Sequence, residues 1–110
     1  MSKVICIAGI LVLGILLFGF SLHTNGSHLG EDLYKKFQCI ACHGSKGTSP
    51  FNLTDAKEDY TYDNLKRYID NPRAFGNQKM PVFKGLISDK EYRDLTSYII
   101  QLRKNAQRKN

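Results

Sequence analysis

The most continuous hydrophobic pattern in the chain lies at its N-terminus. Every residue from Val4 to Phe20 is apolar or glycine, and a single basic residue, Lys3, precedes the segment. As a helix the segment would be about 26 Å long, close to the minimum for crossing the hydrocarbon core of a bilayer. Residues 1–22 are therefore predicted to be either a secretory signal or an uncleaved transmembrane anchor. The sequence that follows lacks a clear small-residue cleavage site, which favours the anchor.

Basic residues predict the orientation of this segment. Lys3 lies before it and the next basic residue is Lys35, so the N-terminus should remain on the inner side of the membrane. The rest of the chain is then predicted on the periplasmic side, anchored, or soluble if residues 1–22 are cleaved. Cys6 lies inside the apolar segment and is interpreted as a small buried hydrophobic residue.

Residues 23–28 are polar and are predicted to form a short tether. They include His23 and His28, which are expected to be solvated rather than bound to a metal. The remaining residues, 29–110, are predicted to form one domain with a basic C-terminal tail. A domain of this size buries only a modest core by itself.

A first helix is predicted from Leu29 to Phe37. Its apolar face is indicated by Leu29, Leu33 and Phe37, which recur at one-turn intervals, and Tyr34 widens that face. Gly30 lies inside this helix, where a glycine weakens helical structure. Its expected use is to let another helix approach closely.

Two further helices are predicted in the second half of the chain. One is capped by Thr61 and runs to Asp70, because Asn71-Pro72 ends it. Its apolar face consists of Tyr62, Leu65 and Ile69.

The last helix begins with a capping box formed by Ser88 and Glu91. Its apolar stripe consists of Tyr92, Leu95, Ile99 and Leu102, and its basic end of Arg103, Lys104, Arg108 and Lys109.

Composition narrows the class of protein. The chain has 16 basic and 10 acidic residues, and of these only Lys3 lies at or before the apolar segment. A basic domain can bind nucleic acid, anionic lipid or an acidic protein, and export disfavours nucleic acid.

A short turn is also predicted at Thr54-Asp55. No strand pattern, repeat, phosphate-binding loop or catalytic triad is visible, so the fold class is predicted to be all-α.

The candidate chemistry lies in Cys39-Ile40-Ala41-Cys42-His43. Two cysteines separated by two residues and followed by histidine are the attachment pattern of haem c. Each cysteine can add to one vinyl group, and the short spacing holds His43 beneath the iron as the proximal ligand. The alternatives are a redox dithiol, half of a zinc site or a chance pair. No Cys or His follows His43 and no βαβ pattern is visible, which disfavours zinc and a thioredoxin-like dithiol.

Two other residues would complete such a site. Met80 is the only methionine besides Met1, so a thioether ligand to the iron would have to be Met80. Pro81 would hold Met80 extended, and the alternative is a gap-filling core methionine. The second ring nitrogen of His43 needs a partner to fix the ring, and the carbonyl of Pro50 is the candidate acceptor. Alternatively, Pro50 only shapes a turn.

Together these features resemble the class I cytochromes c of the small bacterial, single-haem kind, over Gly30 to Leu102. The shared motifs are the Gly-x-x-x-aromatic pair Gly30 and Tyr34, then Cys39 to Gly44, Pro50 with Leu53, Tyr68 to Arg73, Lys79-Met80-Pro81, and Tyr98 to Leu102. Two departures are visible. Ser49 stands where the family often has glycine, and the chain has no tryptophan that could contact a propionate.

The resemblance implies a bundle of three to four helices around one covalent haem c. It implies thioether bonds at Cys39 and Cys42, axial ligation by His43 and Met80, and Pro50 as the acceptor for the His43 ring. It also implies that the first and last helices cross where three residues meet: Gly30, Tyr34 and Tyr98.

Two axial ligands would leave the iron no open position, so the expected function is one-electron transfer rather than catalysis. The expected partners are respiratory-type donor and acceptor proteins with acidic docking surfaces. Three lysines adjacent in sequence to the ligand segments are expected to face them: Lys46, Lys79 and Lys84. The alternatives are a fixed haem c subunit of a larger oxidoreductase, or a ligand sensor or haem enzyme with an open iron. Carbon monoxide binding distinguishes a sensor or enzyme, whose iron is open, from the electron carrier and the fixed subunit.

Overall fold

The computed structural model describes residues 26–53 and 59–109. These residues contain helices and no strand: α1 (Gly26–Lys36), α2 (Cys39–His43), α3 (Tyr62–Asp70), a 3-10 turn (Pro72–Phe75) and α4 (Asp89–Gln107). The predicted all-α class is therefore confirmed. The apolar segment from Val4 to Phe20 and the predicted turn at Thr54-Asp55 lie outside the described residues. None of the helices described is long and apolar enough to cross a membrane.

The first helix differs from its prediction at its start and in its buried face. It begins at Gly26 rather than at Leu29, so the second half of the predicted tether is helical. The side chain of Leu29 is 47% exposed, whereas that of Tyr34 is fully buried. The reason is that α4 packs against the stripe formed by Gly30 and Tyr34, which turns Leu29 away from the core.

Helices α1 and α4 cross at a glycine, as the resemblance to class I cytochromes c implies. A Cβ atom on Gly30 would lie 2.5 Å from the Cβ atom of Tyr98 and closer still to the carbonyl oxygen of Asp94. Two carbon atoms in contact are normally about 3.5–4.0 Å apart, so no side chain fits there. The ring of Tyr34 packs edge-on against that of Tyr98, with 5.4 Å between the centroids. The predicted meeting of Gly30, Tyr34 and Tyr98 is confirmed.

The core is built from the apolar stripes of α1, α3 and α4, together with Ile87 just before α4. Its buried residues are Tyr34, Leu65, Ile69, Ile87, Tyr92, Leu95 and Ile99. Most of them are the residues that the helical periodicity selects, and Tyr62 and Leu102 pack partly buried against them. The predicted apolar faces of α3 and α4 are therefore confirmed.

Both predicted helix caps are present. The Thr61 hydroxyl oxygen accepts a hydrogen bond from the N–H of Asn64 at 3.2 Å, at the start of α3. At the start of α4, Ser88 Oγ accepts from the N–H of Glu91 at 3.2 Å, and Glu91 Oε2 accepts from the N–H of Ser88 at 3.0 Å. These bonds fix where each helix begins, because they satisfy N–H groups that have no partner within the helix.

Asp70, the last residue of α3, joins three parts of the fold. Its carboxylate accepts a hydrogen bond from the hydroxyl of Tyr92 in α4. Its backbone carbonyl accepts a bond from the N–H of Lys84 at 3.1 Å. Lys66 lies 3.6 Å from the Asp70 carboxylate and 3.5 Å from that of Asp89. This junction fixes the segment that carries Met80 against α3 and α4.

We expect the free energy of unfolding to depend on pH in the acidic range because of the Glu91 carboxylate. Lys36 of α1 donates to it at 2.8 Å and the backbone N–H of Ser88 at 3.0 Å. These bonds lower the pKa of Glu91 from 4.5 to about 2. Because the pKa is lower in the folded chain, the stabilisation is fully present above pH 4.5 and is lost as the pH falls towards 2.

The test is the substitution Glu91→Gln, followed by denaturant unfolding of the holoprotein across that acidic range. The free energy of unfolding of the wild type should fall more steeply with falling pH than that of the variant, since glutamine has no proton to take up. Parallel curves for the two proteins would show that Glu91 does not cause the dependence.

Candidate functional site

The short helix α2 presents the two cysteines and the histidine together. Before it, Gln38 adopts a left-handed conformation with φ of 61°, which turns the chain sharply after α1. Cys39 is half buried and packs against the core, whereas Cys42 is exposed. Residues three apart lie on the same side of a helix, so one ligand can reach both sulfur atoms.

The loop after α2 is held by a glycine and a tyrosine. Gly44 has φ of +71°, and a Cβ atom there would lie 2.6 Å from the carbonyl oxygen of Ser49, so both conformation and space require glycine. The hydroxyl of the buried Tyr34 donates to the carbonyl of Gly44 at 2.9 Å. Tyr34 thus ties α1 to the end of α2, a role that no local sequence signal indicates.

The acceptor for the His43 ring is Phe51, not Pro50. Nδ1 of His43 lies 2.8 Å from the carbonyl oxygen of Phe51. The assignment of this role to Pro50 is therefore corrected by one residue. The reason is that the N–H of Phe51 donates to the carbonyl of Cys42 at 3.0 Å, which fixes Phe51 beside the end of α2. A carbonyl can only accept, so Nδ1 carries the proton and Nε2 is left to bind a metal.

A cavity of about 560 Å³ opens beside α2, within the size range of cofactor sites. Its wall includes three residues singled out in the sequence: Cys39, His43 and Met80. Much of the remaining wall is aromatic or aliphatic, with Phe51, Leu53, Leu65, Tyr68, Ile69 and Phe75 among its residues. The fold therefore gathers Cys39, His43 and Met80 around one largely apolar space, whereas the exposed Cys42 is not among the residues described along its wall.

Met80 reaches the cavity from the segment between the 3-10 turn and α4. Its side chain is half buried and packs against the core. The N–H of Phe83 donates to the carbonyl of Ile69 at 3.3 Å, which holds the end of this segment against α3. The side chain of Asn77 accepts a bond from the N–H of Met80 at 3.1 Å. An asparagine three residues before Met80 is a sequence signal for this turn.

One of the three predicted docking lysines lies at the rim of the cavity. The Nζ atom of Lys79 is 5.9 Å from the ring centroid of Phe51, which lines the cavity. Lys46 and Lys84 are exposed as well, and none of the three lysines is itself among the residues described along the wall. Through this contact, the segment that carries Met80 meets Phe51, the residue whose carbonyl is the partner of the His43 ring.

The residues present fit a haem c. Two thiols lie three residues apart on α2, an imidazole offers Nε2, and a largely apolar wall lines the space. Burial raises the pKa of the Cys39 thiol to about 11. A thiol with a raised pKa is a poor attacking group, so Cys39 is not suited to be the nucleophile of a redox dithiol. When bound, the haem supplies an iron that cycles between Fe(III) and Fe(II).

The all-α fold and this site define the chain as a c-type haem protein. The family model described as "Cytochrome C oxidase, cbb3-type, subunit III" matches residues 27–99. The match covers more than half of the chain, so the chain belongs to this family of cytochrome c domains. No match was found among curated proteins or among solved structures. The protein binds covalent haem c through Cys39-Ile40-Ala41-Cys42-His43 and is an electron-transfer haem protein.

Proposed function

We propose that this protein is a carrier of single electrons in which His43 and Met80 are the two axial ligands of the haem iron. The observation that carries the proposal is that one cavity wall contains both residues, although they come from distant segments. The hydrogen bond to Phe51 leaves Nε2 of His43 to bind the iron. Two ligands from the chain leave no open position for a substrate, which favours electron transfer.

The proposed setting is the periplasmic side of the cytoplasmic membrane. Residues 4–20 would tether the domain if they are not cleaved, and Lys3 favours an N-terminus on the inner side. The proposed partners are respiratory-type donors and acceptors. An electron leaves a buried cofactor most readily where it comes closest to the surface, so docking is proposed at the rim of the cavity, where Lys79 lies.

The docking proposal predicts that electron transfer to an acidic partner slows as salt is added. Steering by opposite charges raises association rates by about 10- to 1,000-fold and is screened by ions. Charge reversal at Lys79 or Lys84 should slow the reaction further at low salt, with an unchanged haem spectrum. The measurement is stopped-flow oxidation of the reduced protein by an acidic redox protein over a range of ionic strength.

The matched control for these reversals is Lys90→Glu. Lys90 is exposed at the start of α4 and pairs at 3.3 Å with Asp94, whose backbone lies against Gly30 where α4 crosses α1. This variant has the same change in net charge, so it should keep most of the wild-type rate if location matters. Rates that do not change with salt, in the wild type and in all reversals, would refute steering by these lysines.

A second function is supported by the family match. The family description names a subunit of an oxidase, so the chain could instead be a fixed haem c subunit that passes electrons within a larger complex. Affinity purification of the tagged full-length chain in mild detergent separates the two functions. If one copy of the chain per active oxidoreductase is retained through gel filtration, the result supports a fixed subunit. A complex that is fully active without the chain supports the carrier.

A further inference from the structure

The segment that carries Met80 has no regular secondary structure to hold it. It runs from the end of the 3-10 turn at Gly76 to the cap of α4 at Ser88. Buried or half-buried backbone N–H groups in such a segment need partners from elsewhere. Downstream of Met80, the N–H groups of Phe83 and Lys84 donate to the last carbonyls of α3. Upstream of Met80, the corresponding restraint comes from a side chain.

That side chain is Asn77. Its Oδ1 atom accepts hydrogen bonds from the N–H of Lys79 at 3.0 Å and from the N–H of Met80 at 3.1 Å. Its own backbone N–H donates to the carbonyl of Pro72 at 3.1 Å, which fixes Asn77 to the 3-10 turn. One residue therefore connects a rigid turn directly to the backbone of Met80.

A third bond fixes the orientation of the Asn77 amide. Two N–H donors at Oδ1 require the amide nitrogen to point the other way, and there Nδ2 donates to the hydroxyl of Tyr68 at 2.7 Å. Tyr68 belongs to α3, and its ring packs against Phe75 of the 3-10 turn with 5.4 Å between the centroids. Tyr68, Asn77 and Met80 all lie on the cavity wall.

From these contacts we infer that Asn77 is the positioning residue of Met80. It holds the backbone of Met80 in the place from which the side chain can bind the iron. The inference rests on the proposed ligation by Met80. Without Asn77 the N–H groups of two successive residues lose their acceptor, and the segment is free to move away from the cavity. The iron should then spend more time without its thioether ligand and accept small ligands more readily.

The experiment uses the full-length holoprotein and measures the affinity of the reduced form for carbon monoxide. Asn77→Ala should raise this affinity about tenfold or more, the scale of losing one or two hydrogen bonds. Asn77→Asp keeps an acceptor for both N–H groups, and its second oxygen can accept from the Tyr68 hydroxyl, so this variant should stay within about threefold of wild type. Gln78→Ala, at an exposed neighbour in the same segment, is the matched control and should behave as wild type.

Two further readouts separate positioning from general damage. The absorption signature of thioether ligation in the oxidised protein should weaken in Asn77→Ala and persist in Asn77→Asp, while far-ultraviolet circular dichroism stays unchanged. An Asn77→Ala protein with wild-type affinity and spectrum would overturn the inference. An Asn77→Asp protein as open to carbon monoxide as Asn77→Ala would also overturn it, since the acceptor would then be irrelevant.

The same series distinguishes this inference from the proposed ligation. If the wild type binds carbon monoxide as readily as Met80→Ala, Met80 is not a ligand and both ideas fail. If only Met80→Ala opens the iron, the ligation stands and the role of Asn77 fails. Should Asn77→Ala yield no holoprotein, amide hydrogen exchange on the wild type decides. Slow exchange at Lys79 and Met80 supports the inference, and exchange as fast as in a solvated loop overturns it.

Discussion

Replacement of His43 by alanine is expected to abolish stable holoprotein. The ring of His43 is held by Phe51 so that Nε2 can bind a metal, and the described cavity wall contains no second histidine to replace it. Replacement of Cys39 or Cys42 by alanine is expected to remove one thioether bond and leave the other. The measurement is the amount of covalently attached haem per chain after denaturing electrophoresis, with total protein determined in parallel.

His28→Ala is the matched control for this experiment. His28 lies in α1, is exposed, and is not among the residues that line the cavity, so its variant should retain wild-type haem content. A normal yield of stable holoprotein from His43→Ala would refute the assignment of His43 as the proximal ligand.

Replacement of Met80 by alanine is expected to lower the reduction potential and to open the iron. The thioether of methionine favours Fe(II), and axial ligands together set haem potentials over a range of about 0.8 V. We expect a decrease on the order of 100 mV, a modest part of that range. Redox titration measures the potential, and carbon monoxide should bind the reduced variant readily. Haem attachment itself should persist, because Cys39, Cys42 and His43 are intact.

The same variant would also show whether the assignment of Met80 as a ligand is wrong. A Met80→Ala protein that keeps the wild-type potential and still excludes carbon monoxide must have another residue as the sixth ligand. Met80 would then be a half-buried core residue that packs beside the cavity. Gln78→Ala serves as the control here as well, because it changes an exposed side chain in the same segment.

Features with a local cause were predictable from the sequence. The capping box of Ser88 and Glu91 and the cap at Thr61 depend on residues three apart, so their patterns predict the bonds that form. The core faces of α3 and α4 follow from helical periodicity alone. Gly30 was also predictable, because a glycine inside an amphipathic helix has few uses other than a close crossing.

Features that depend on how distant segments meet were not predictable. The buried face of α1 is set by the position of α4, and periodicity within α1 therefore misplaces Leu29. The partner of His43 is Phe51 rather than Pro50, since the loop is closed by a bond from Phe51 to Cys42. The bond from Tyr34 to the carbonyl of Gly44 likewise exists only because α1 packs beside the loop.

Asn77 is an intermediate case. Its bonds to Lys79 and Met80 are local and match a turn that asparagine commonly forms, so its sequence position contains the signal. Its bond to Tyr68 depends on the packing of the 3-10 turn against α3 and is not visible in the sequence.

The central claim is that His43 and Met80 both bind the haem iron and leave it no open position. The most direct test is the absorption spectrum of the purified wild-type holoprotein, recorded oxidised, reduced, and reduced under carbon monoxide. The claim predicts a low-spin iron in both oxidation states, the signature of thioether ligation in the oxidised form, and a reduced spectrum that changes little at a carbon monoxide concentration that saturates Met80→Ala. A high-spin spectrum, or a reduced form that carbon monoxide converts completely, would contradict it.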